Sequence, residues 1–491
     1  MTDRHGIRPR GRRAAAGAAA TAALVTGLSL GGGSGRIIAA TGDPLGAGGE
    51  YHPVTPVRIL DTREADLDHR PEGPAQPIVT STDGSATFDV VIAGAPGLPE
   101  FAEASDGTDA NVLAVAVNVT VIAPTHEGFL QAFGKDADAG IASIVNFKAG
   151  EVVPNSAILR PGTDGELTLR VQTPPGAGVA DVAIDLFGWF STANYDTNGA
   201  RIVPTGPGRI FDSRETEGDG SPLGPGDEAI LPIRGATDGD GNELVPDDES
   251  VTGVLVNLTG IDAQPGSKPT FLSALPVSAG AATPTTSNLN LVPGQVRAVM
   301  ALVPVGPDGS IHVYNYDGDT HLAVDVVGYL RDGADPATRE GRVIPLVAPY
   351  RALDTRSPQH GNRPLMSGQA ETWSFADFIA DVKVGDDPVG AQLGLLGNLT
   401  GTELGRHYAT QQPHTFLTAY PPPAAGEPLV PLVSNLNLTE GQSVPNMALL
   451  RFGTAEKDSR CTEPVCVRFY NYDGSLHYLY DVSAVILADE T

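Results

Sequence analysis

Short apolar runs, each bounded by Gly, Pro, Asp or Asn, follow one another along the chain from about residue 50 onward. Val, Ile, Leu and Ala fill these runs, and two of them, 112–121 and 179–190, are almost continuously apolar or small. The first third of the chain contains about eight predicted strands, at 58–62, 86–92, 113–121, 128–132, 143–147, 156–160, 167–172 and 182–190. With turn signals every ten or so residues, the pattern predicts an all-β fold of β-sandwich or jelly-roll-like type.

The pattern occurs three times, and short motifs mark the same positions each time. The motif at 59–63 (ILDTR) returns at 210–214 (IFDSR) and at 352–356 (ALDTR). Further motifs recur in the same order: VNVT at 117–120, VNLT at 256–259 and GNLT at 397–400; GFL at 128–130 and TFL at 270–272 and 415–417; SIVNF at 143–147 and SNLNL at 287–291 and 434–438; DLFGWF at 185–190, DVVGYL at 325–330 and DVSAVI at 481–486. The chain is therefore predicted to form three tandem β-domains, each a diverged copy of one module of roughly 140 residues, at 41–195, 196–335 and 336–491.

The third copy carries two additions. The segment 375–384 has apolar residues at helical spacing, which predicts a short inserted helix. Cys461 and Cys466 are the only two cysteines, and they have no neighbouring His or Cys at the spacing of metal ligands. This pair predicts a disulfide that closes a loop, and no metal or other cofactor is expected.

The first forty residues have the features of an export signal. Arginines between positions 4 and 13 precede an uncharged stretch of small and apolar residues at 14–30, and Ala39 and Ala40 form a possible cleavage site. The pattern leaves the Sec and the twin-arginine routes open. No other segment reaches the eighteen or so apolar residues of a spanning helix, so the mature chain is expected outside the cell or at the cell surface, without a membrane span.

Charge excludes some partners. The chain has 59 acidic residues against 31 Lys and Arg, a formal net charge of -28 at pH 7. Such a field repels phosphate backbones and anionic lipids. Nucleic acid and membrane surfaces are therefore not expected to bind.

The recurring Asp-Thr/Ser-Arg motif has two interpretations. Asp61 and Asp185 could serve as acid and base or nucleophile of a carbohydrate-active hydrolase. A structural role is favoured, because all three copies keep the motif while their loops vary, and an enzyme rarely keeps three active sites. The predicted structural residues of the motif, in which an Arg holds an Asp, are Asp61, Arg63, Asp212, Arg214, Asp354 and Arg356. Whether Arg63 contacts Asp61 or Asp185 stays open.

Asparagines interrupt two of the recurring apolar runs. They are Asn118, Asn257 and Asn398 in one set, and Asn146, Asn290 and Asn437 in the other. A buried amide must be hydrogen-bonded, so these side chains are predicted to bond backbone groups of turns or sheet edges.

The segment 312–318 (HVYNYDG), repeated as 468–474 (RFYNYDG), is the best candidate for a ligand surface. Alternation places its two tyrosines on one strand face, and a His follows three residues after the Gly. Paired tyrosines beside Asp, Asn and His could stack a sugar ring and bond its hydroxyls; equally, strand tyrosines often serve packing alone. The candidate ligand residues are Tyr314, Tyr316, His321, Tyr470, Tyr472 and His477, and the first copy lacks them.

Together the motifs resemble a repeat of exported and cell-surface actinobacterial proteins, over almost all of 51–488. The resemblance implies an extracellular or surface location and an accessory role, and it supplies no catalytic residues. We therefore expect a secreted or cell-surface, non-enzymatic repeat protein that binds cell-wall glycan, other polysaccharide or a partner protein. The alternative is a hydrolase that uses paired carboxylates.

Overall fold

The computed structural model describes residues 37–39, 48–64, 76–101, 111–176, 178–193, 195, 197–215, 220–262, 268–280, 282–384, 387–405, 414–423, 430, 433–453, 461 and 464–489. Strands dominate these residues, as predicted, and the short helix expected within 375–384 is present. Copies 1, 2 and 3 denote the described residues of 41–195, 196–335 and 336–491.

Each copy is built from the same succession of strands. After β1 (Ile37–Ala39), copy 1 contains β2 (Tyr51–Asp61), β3 (Ile78–Val79), β4 (Ser85–Val91), β5 (Val112–Ile122), β6 (Gly128–Gly134), β7 (Val145–Phe147), β8 (Val152–Leu159), β9 (Glu166–Gln172) and β10 (Val179–Ser191). Copy 2 contains β11 (Arg201–Asp212), β12 (Glu228–Pro232), β13 (Val251–Asp262), β14 (Thr270–Leu275), β15 (Leu289–Leu291), β16 (Val296–Pro304), β17 (Ser310–Asn315) and β18 (Thr320–Arg331). Copy 3 contains β19 (Val343–Asp354), β20 (Leu365–Met366), β21 (Gln369–Ser374), α1 (Ala376–Asp381), β22 (Val382–Val384), β23 (Asp387–Pro388), β24 (Gln392–Thr402), β25 (His414–Tyr420), β26 (Leu436–Thr439), β27 (Val444–Arg451), β28 (Cys466–Asn471) and β29 (Ser475–Leu487).

The strands of each copy pair into two antiparallel sheets. In copy 1 the long-strand sheet has the order β2-β10-β5-β8 and the short-strand sheet the order β4-β9-β6-β7. Copy 2 repeats this as β11-β18-β13-β16 and β12-β17-β14-β15, and copy 3 as β19-β29-β24-β27 and β21-β28-β25-β26. Two short strands extend these sheets, since β3 pairs with β10 in copy 1 and β20 with β29 in copy 3. The order of the four strands that all copies share, with the first strand beside the last, is that of a jelly roll, which settles the choice between sandwich topologies.

The prediction of three tandem domains is wrong in one respect: the copies share a core, and their six sheets form a ring. One apolar cluster takes residues from the long-strand sheets of all three copies, including Ala116, Ile158, Leu302, Leu449 and Ile486. The edge strands β8, β16 and β27 contact one another, and 36–491 forms one compact unit. The physical reason is that the long strands are apolar on both faces, so that one face covers the copy's own core and the other the shared core.

Two further predictions concern the ends of the chain. Of the predicted export signal, residues 37–39 form β1, which pairs in parallel with β22, and the rest of 1–40 lies outside the described residues. Cys461 and Cys466 form the predicted disulfide, with 6.2 Å between their Cα atoms. Within the described ranges, no helix has the length and apolar character needed to cross a bilayer.

Candidate functional site

The Asp-Thr-Arg motif of copy 1 forms an ion cluster between the first and last strands. Arg63 contacts Asp61, with its Nε 2.8 Å from Oδ1 and its Nη2 2.7 Å from Oδ2. Arg58 holds Asp185 bidentately at 2.8 and 3.1 Å and also contacts Asp61 at 3.1 Å. Of the two partners left open for Arg63, the structure thus has Asp61, and Arg58 is the residue that joins the two carboxylates.

The same cluster occurs in the other copies. Its members there are Arg209, Asp212, Arg214 and Asp325 in copy 2, and Arg351, Asp354, Arg356 and Asp481 in copy 3. The sequence interpretation missed the bridging arginine, although an Arg three residues before the Asp recurs in every copy. That recurrence was the available signal.

The electrostatics of the cluster favour ion pairs over catalysis. Burial opposes ionisation of Asp61, but its hydrogen bonds and charge contacts with Arg63 and Arg58 outweigh burial and lower its pKa below the ordinary 3.8. Burial raises the pKa of Asp185 in spite of Arg58. Neighbouring carboxyls, one with a raised and one with a lowered pKa, also occur in acid–base catalysis. However, Asp61 is fully buried and Asp185 is only 3% exposed. Neither carboxylate is open to a substrate.

The two predicted ligand histidines belong to these clusters. His321 Nδ1 lies 2.9 Å from Ser213 Oγ, and His477 Nδ1 lies 2.9 Å from Thr355 Oγ1. In copy 1 the equivalent hydroxyl, of Thr62, donates to Asp181. The structure therefore places both histidines against the Ser or Thr of the recurring motif, where they fix the first strand to the last.

The asparagines of the first recurring set connect the copies in a cycle. Asn118 Nδ2 of copy 1 donates to the carbonyl of Ser287 in copy 2 at 2.7 Å, and Asn398 of copy 3 donates to that of Ser143 in copy 1 at 2.6 Å. Asn257 of copy 2 donates in the same way to Ser434 of copy 3. The prediction that these amides bond turn backbone is confirmed, and the turn belongs to the next copy each time.

A second amide completes two of these three connections. Asn155 donates to Asn398 Oδ1 at 2.9 Å and accepts from the backbone N–H of Met447 at 3.0 Å. Asn446 does the same with Asn257 Oδ1 and the N–H of Met300, both at 2.8 Å.

The third connection lacks this amide. Strand register places Val299 of copy 2 at the position of Asn155 and Asn446. As a result, Asn118 Oδ1 is buried and accepts no hydrogen bond from the described residues. Among the described residues, the recurring amides thus make fewer hydrogen bonds between copies 1 and 2 than at the other two connections.

Exposed aromatic pairs occur at one equivalent position in copies 2 and 3. Tyr316 stacks on Phe271 with ring centres 4.5 Å apart and planes 10° apart, and Tyr472 stacks on Phe416 at 4.8 Å and 16°. Tyr316 is 46% and Tyr472 45% exposed. Each pair lies on the outer face of a short-strand sheet, where an aromatic surface of this kind can bind an apolar face of a ligand.

Neighbouring polar groups add hydrogen-bonding capacity to these pairs. Asn290 lies opposite Phe271 in the strand register, and Asn437 lies opposite Phe416. Each amide donates to the hydroxyl of a nearby Ser, Asn290 at 3.1 Å and Asn437 at 3.0 Å. A side-chain amide has two donor hydrogens and an acceptor oxygen, so capacity remains for a ligand.

The other predicted ligand residues serve different roles. Tyr314 is buried at 8% exposure, and Tyr470 is half-buried with its ring centre 6.1 Å from Phe416. Asn315 is fully buried and donates to the carbonyls of Leu223 and Gly318, both at 3.0 Å, so it holds the turn that presents Tyr316. The structure thus groups each outer tyrosine with a phenylalanine, and places the histidines elsewhere.

Copy 1 lacks the aromatic pair. Phe129 occupies the position of the two phenylalanines, and Gln172 lies opposite it where the other copies have Tyr. Two of the three copies therefore present a stacked pair.

Comparisons with known proteins give distant likenesses. The chain matches no protein-family model and no curated protein. Among solved structures, the N-terminal CBM22-1-CBM22-2 tandem domain of Xyn10C from Paenibacillus barcinonensis aligns at 12% identity over 56% of this chain and 98% of that chain, with a TM-score of 0.15. A chain in the structure of Sulfolobus Turreted Icosahedral Virus aligns at 7% identity over 90% and 92%, with a TM-score of 0.17. A triple jelly-roll chain of an archaeal virus aligns at 8% identity over 89% and 90%, with a TM-score of 0.16. At these TM-scores the likenesses support no inference about function.

Proposed function

We propose that the protein is exported and acts outside the cell as a non-enzymatic binding protein for polysaccharide, through the aromatic pairs of copies 2 and 3. The N-terminal pattern and the resemblance to actinobacterial surface repeats support export. The disulfide between Cys461 and Cys466 supports an oxidising compartment.

The observation that carries the proposal is the equivalence of the two exposed pairs. Tyr316 and Tyr472 each receive the same support, because the backbone N–H of each bonds the carbonyl of its stacking phenylalanine at 3.1 Å. A tyrosine held flat against a second ring presents its free face at little cost in side-chain entropy. Two such faces on one compact unit favour a repeating ligand, since the second contact then forms at a high effective concentration.

A hydrolase has less support. Its candidate acid and base, Asp61 and Asp185, are both bound to Arg58 and buried. The same arrangement in the other two copies favours a structural role for the carboxylates.

Sedimentation with insoluble polysaccharides tests the proposal. The full chain is mixed with actinobacterial cell wall, chitin or cellulose, and the bound fraction is measured against concentration. We expect saturable binding to at least one polymer, weakened about tenfold by Tyr316→Ala or Tyr472→Ala and more by both together. Tyr350→Ala is the matched control, because Tyr350 is 43% exposed and packs at 5.7 Å against Phe378, away from both pairs.

Two results would overturn the proposal. Binding that survives the double variant would move the site elsewhere, and no binding to any polymer would return the tyrosines to packing roles.

A further inference from the structure

Copy 1 lies against a face that copies 2 and 3 form together, and one half of this face has no covalent connection to copy 1. Across it, Asn398 of copy 3 donates to the Ser143 carbonyl at 2.6 Å and accepts from Asn155 at 2.9 Å. Arg351 of copy 3 also reaches the carbonyl of Ile141 at 3.4 Å. Because copies 1 and 3 are not consecutive in the chain, these contacts assemble through the surfaces of the copies alone.

The other half of the face, on copy 2, is less complete. Asn118 donates to the Ser287 carbonyl, but its own oxygen accepts from none of the residues that the structure describes, because position 299 is Val. Arg297 is buried at 6% exposure, and it donates to the Val152 carbonyl of copy 1 at 3.5 Å without an ion pair to any described carboxylate. Buried polar groups whose hydrogen bonding is incomplete cost stability. Among the described residues, the recurring amides therefore connect copy 1, the first in the chain, less completely to copy 2 than to copy 3.

The connection between copies 1 and 2 is the segment 192–200, which separates β10 from β11. Its end takes part in the ring, since Tyr51 and Ala200 exchange backbone hydrogen bonds at 2.7 and 2.8 Å. A protease cut between residues 195 and 199 would therefore leave these backbone hydrogen bonds in place.

The interface is heterologous: each copy offers an amide on one side and a turn carbonyl on the other. The hydrogen bonds of such a surface can be made by any copy with the complementary side, whichever chain carries that copy. Exchange of identical elements between chains is a low-cost route to association.

We propose that the face formed by copies 2 and 3 is a docking site for copy 1 that works without the covalent connection. The face accepts copy 1 of a second chain, so that two chains can associate by exchanging their first copies. The partner is thus a second copy of this protein, and the inference is independent of polysaccharide binding.

The test uses the full chain with a protease recognition sequence inserted between 195 and 199. After cleavage we expect both pieces to elute together in size-exclusion chromatography without denaturant. Cleaved protein with a fluorophore on copy 1 is then mixed with unlabelled cleaved protein. Transfer of the labelled copy 1 from its own copies 2 and 3 to the unlabelled copies 2 and 3 is followed over several days.

Variants of the interface are expected to change the rate at which copy 1 exchanges. Asn398→Ala should speed transfer about tenfold or more, because it removes three hydrogen bonds across the interface. Asn437→Ala is the matched control, since the hydrogen bond of Asn437 among the described residues goes to Ser434 of its own copy, and it should change the rate by less than about twofold. Separation or precipitation of the pieces on cleavage overturns the proposal, as does a complex that holds together but never exchanges.

Discussion

Val299 of copy 2 occupies the place that Asn446 holds in copy 3, and as a consequence no described residue donates to the buried oxygen of Asn118. This substitution removes from one connection between copies the amide that the other two connections have. The site offers a direct way to measure what the recurring amides contribute.

Val299→Asn should supply the missing amide, donating to Asn118 Oδ1 and accepting from the backbone N–H of Ser156, as Asn446 does with its own partners. The gain offsets the loss of buried apolar surface, so we expect a free energy of unfolding within about 1 kcal/mol of the original protein. Val303→Asn, in the core of the same strand, should cost about 3 kcal/mol or more. Denaturant unfolding measures both variants.

The same substitution made in an Asn118→Ala protein checks this explanation. In that background Val299→Asn loses the acceptor for its amide N–H and keeps only the backbone N–H of Ser156, so it should become clearly destabilising. Equal effects of Val299→Asn in both backgrounds would contradict the proposed hydrogen bond.

Ser156→Met should stabilise the ring. Strand register places Ser156 where the other copies have Met300 and Met447, both members of the shared core. A small cleft lies at this point, lined by Ser156, Met447 and Asn398 among others, and Ser156 Oγ is buried without a described partner. Filling the cleft should add about 1 kcal/mol to the free energy of unfolding, measured as a higher Tm.

Ser156→Ala separates the two contributions, because it removes the hydroxyl without filling the space. A Ser156→Met protein less stable than the Ala variant would show that the cleft cannot take the longer side chain.

Asp61→Asn should destabilise copy 1 by about 2 kcal/mol, because it removes the buried negative charge that Arg58 and Arg63 share and one of its two acceptor oxygens. Asp212→Asn and Asp354→Asn should act alike in their own copies. Denaturant unfolding is the measurement, with release of reducing sugar assayed in parallel. A variant of unchanged stability that loses a hydrolytic activity would favour the catalytic interpretation instead.

Acid should destabilise the protein partly through His321. Burial, together with Arg214, lowers the pKa of His321 below the ordinary 6.5. The unfolded chain therefore binds a proton that the folded chain resists, and stability falls as the pH drops below 6.5 toward the folded pKa. His321→Gln should make the Tm less dependent on pH between about 7.5 and 5, whereas an unchanged dependence would exclude a contribution from this side chain.

The buried aspartates act in the opposite direction at lower pH. Burial raises the pKa of Asp185 and of Asp325, so protonation of these groups favours the folded chain. Both aspartates are present in His321→Gln and in the unchanged protein, so their contribution cancels in the difference between the two Tm values.

Local features of this fold followed from the sequence, and the assembly of the copies did not. Turn residues and β-branched runs predicted the strands, and recurrence predicted equivalent copies. The run 112–121 also held a sign of the shared core, since a strand apolar on both faces needs cover on both. That sign did not say what covers the second face, because a sandwich partner and a neighbouring copy require the same apolar residues.

The candidate site shows a similar limit. Alternation grouped Tyr314 with Tyr316 on one strand face, but burial by neighbouring segments separates them, and such segments are distant in sequence. His321 follows closely in sequence and yet lies against Ser213, because the chain leaves one sheet for the other between Tyr316 and His321.

The ends of the three first strands carry one acid and two bases at a single equivalent position. Glu50 of copy 1 accepts from Arg201 of copy 2 at 2.9 Å and from Arg342 of copy 3 at 3.2 Å, and strand register makes the three residues counterparts. Three copies of one identical sequence would bring three like charges together there. The divergence at this position therefore gives the assembly specificity. It favours the arrangement with one acidic and two basic copies, and it disfavours arrangements in which a copy occupies the position of another.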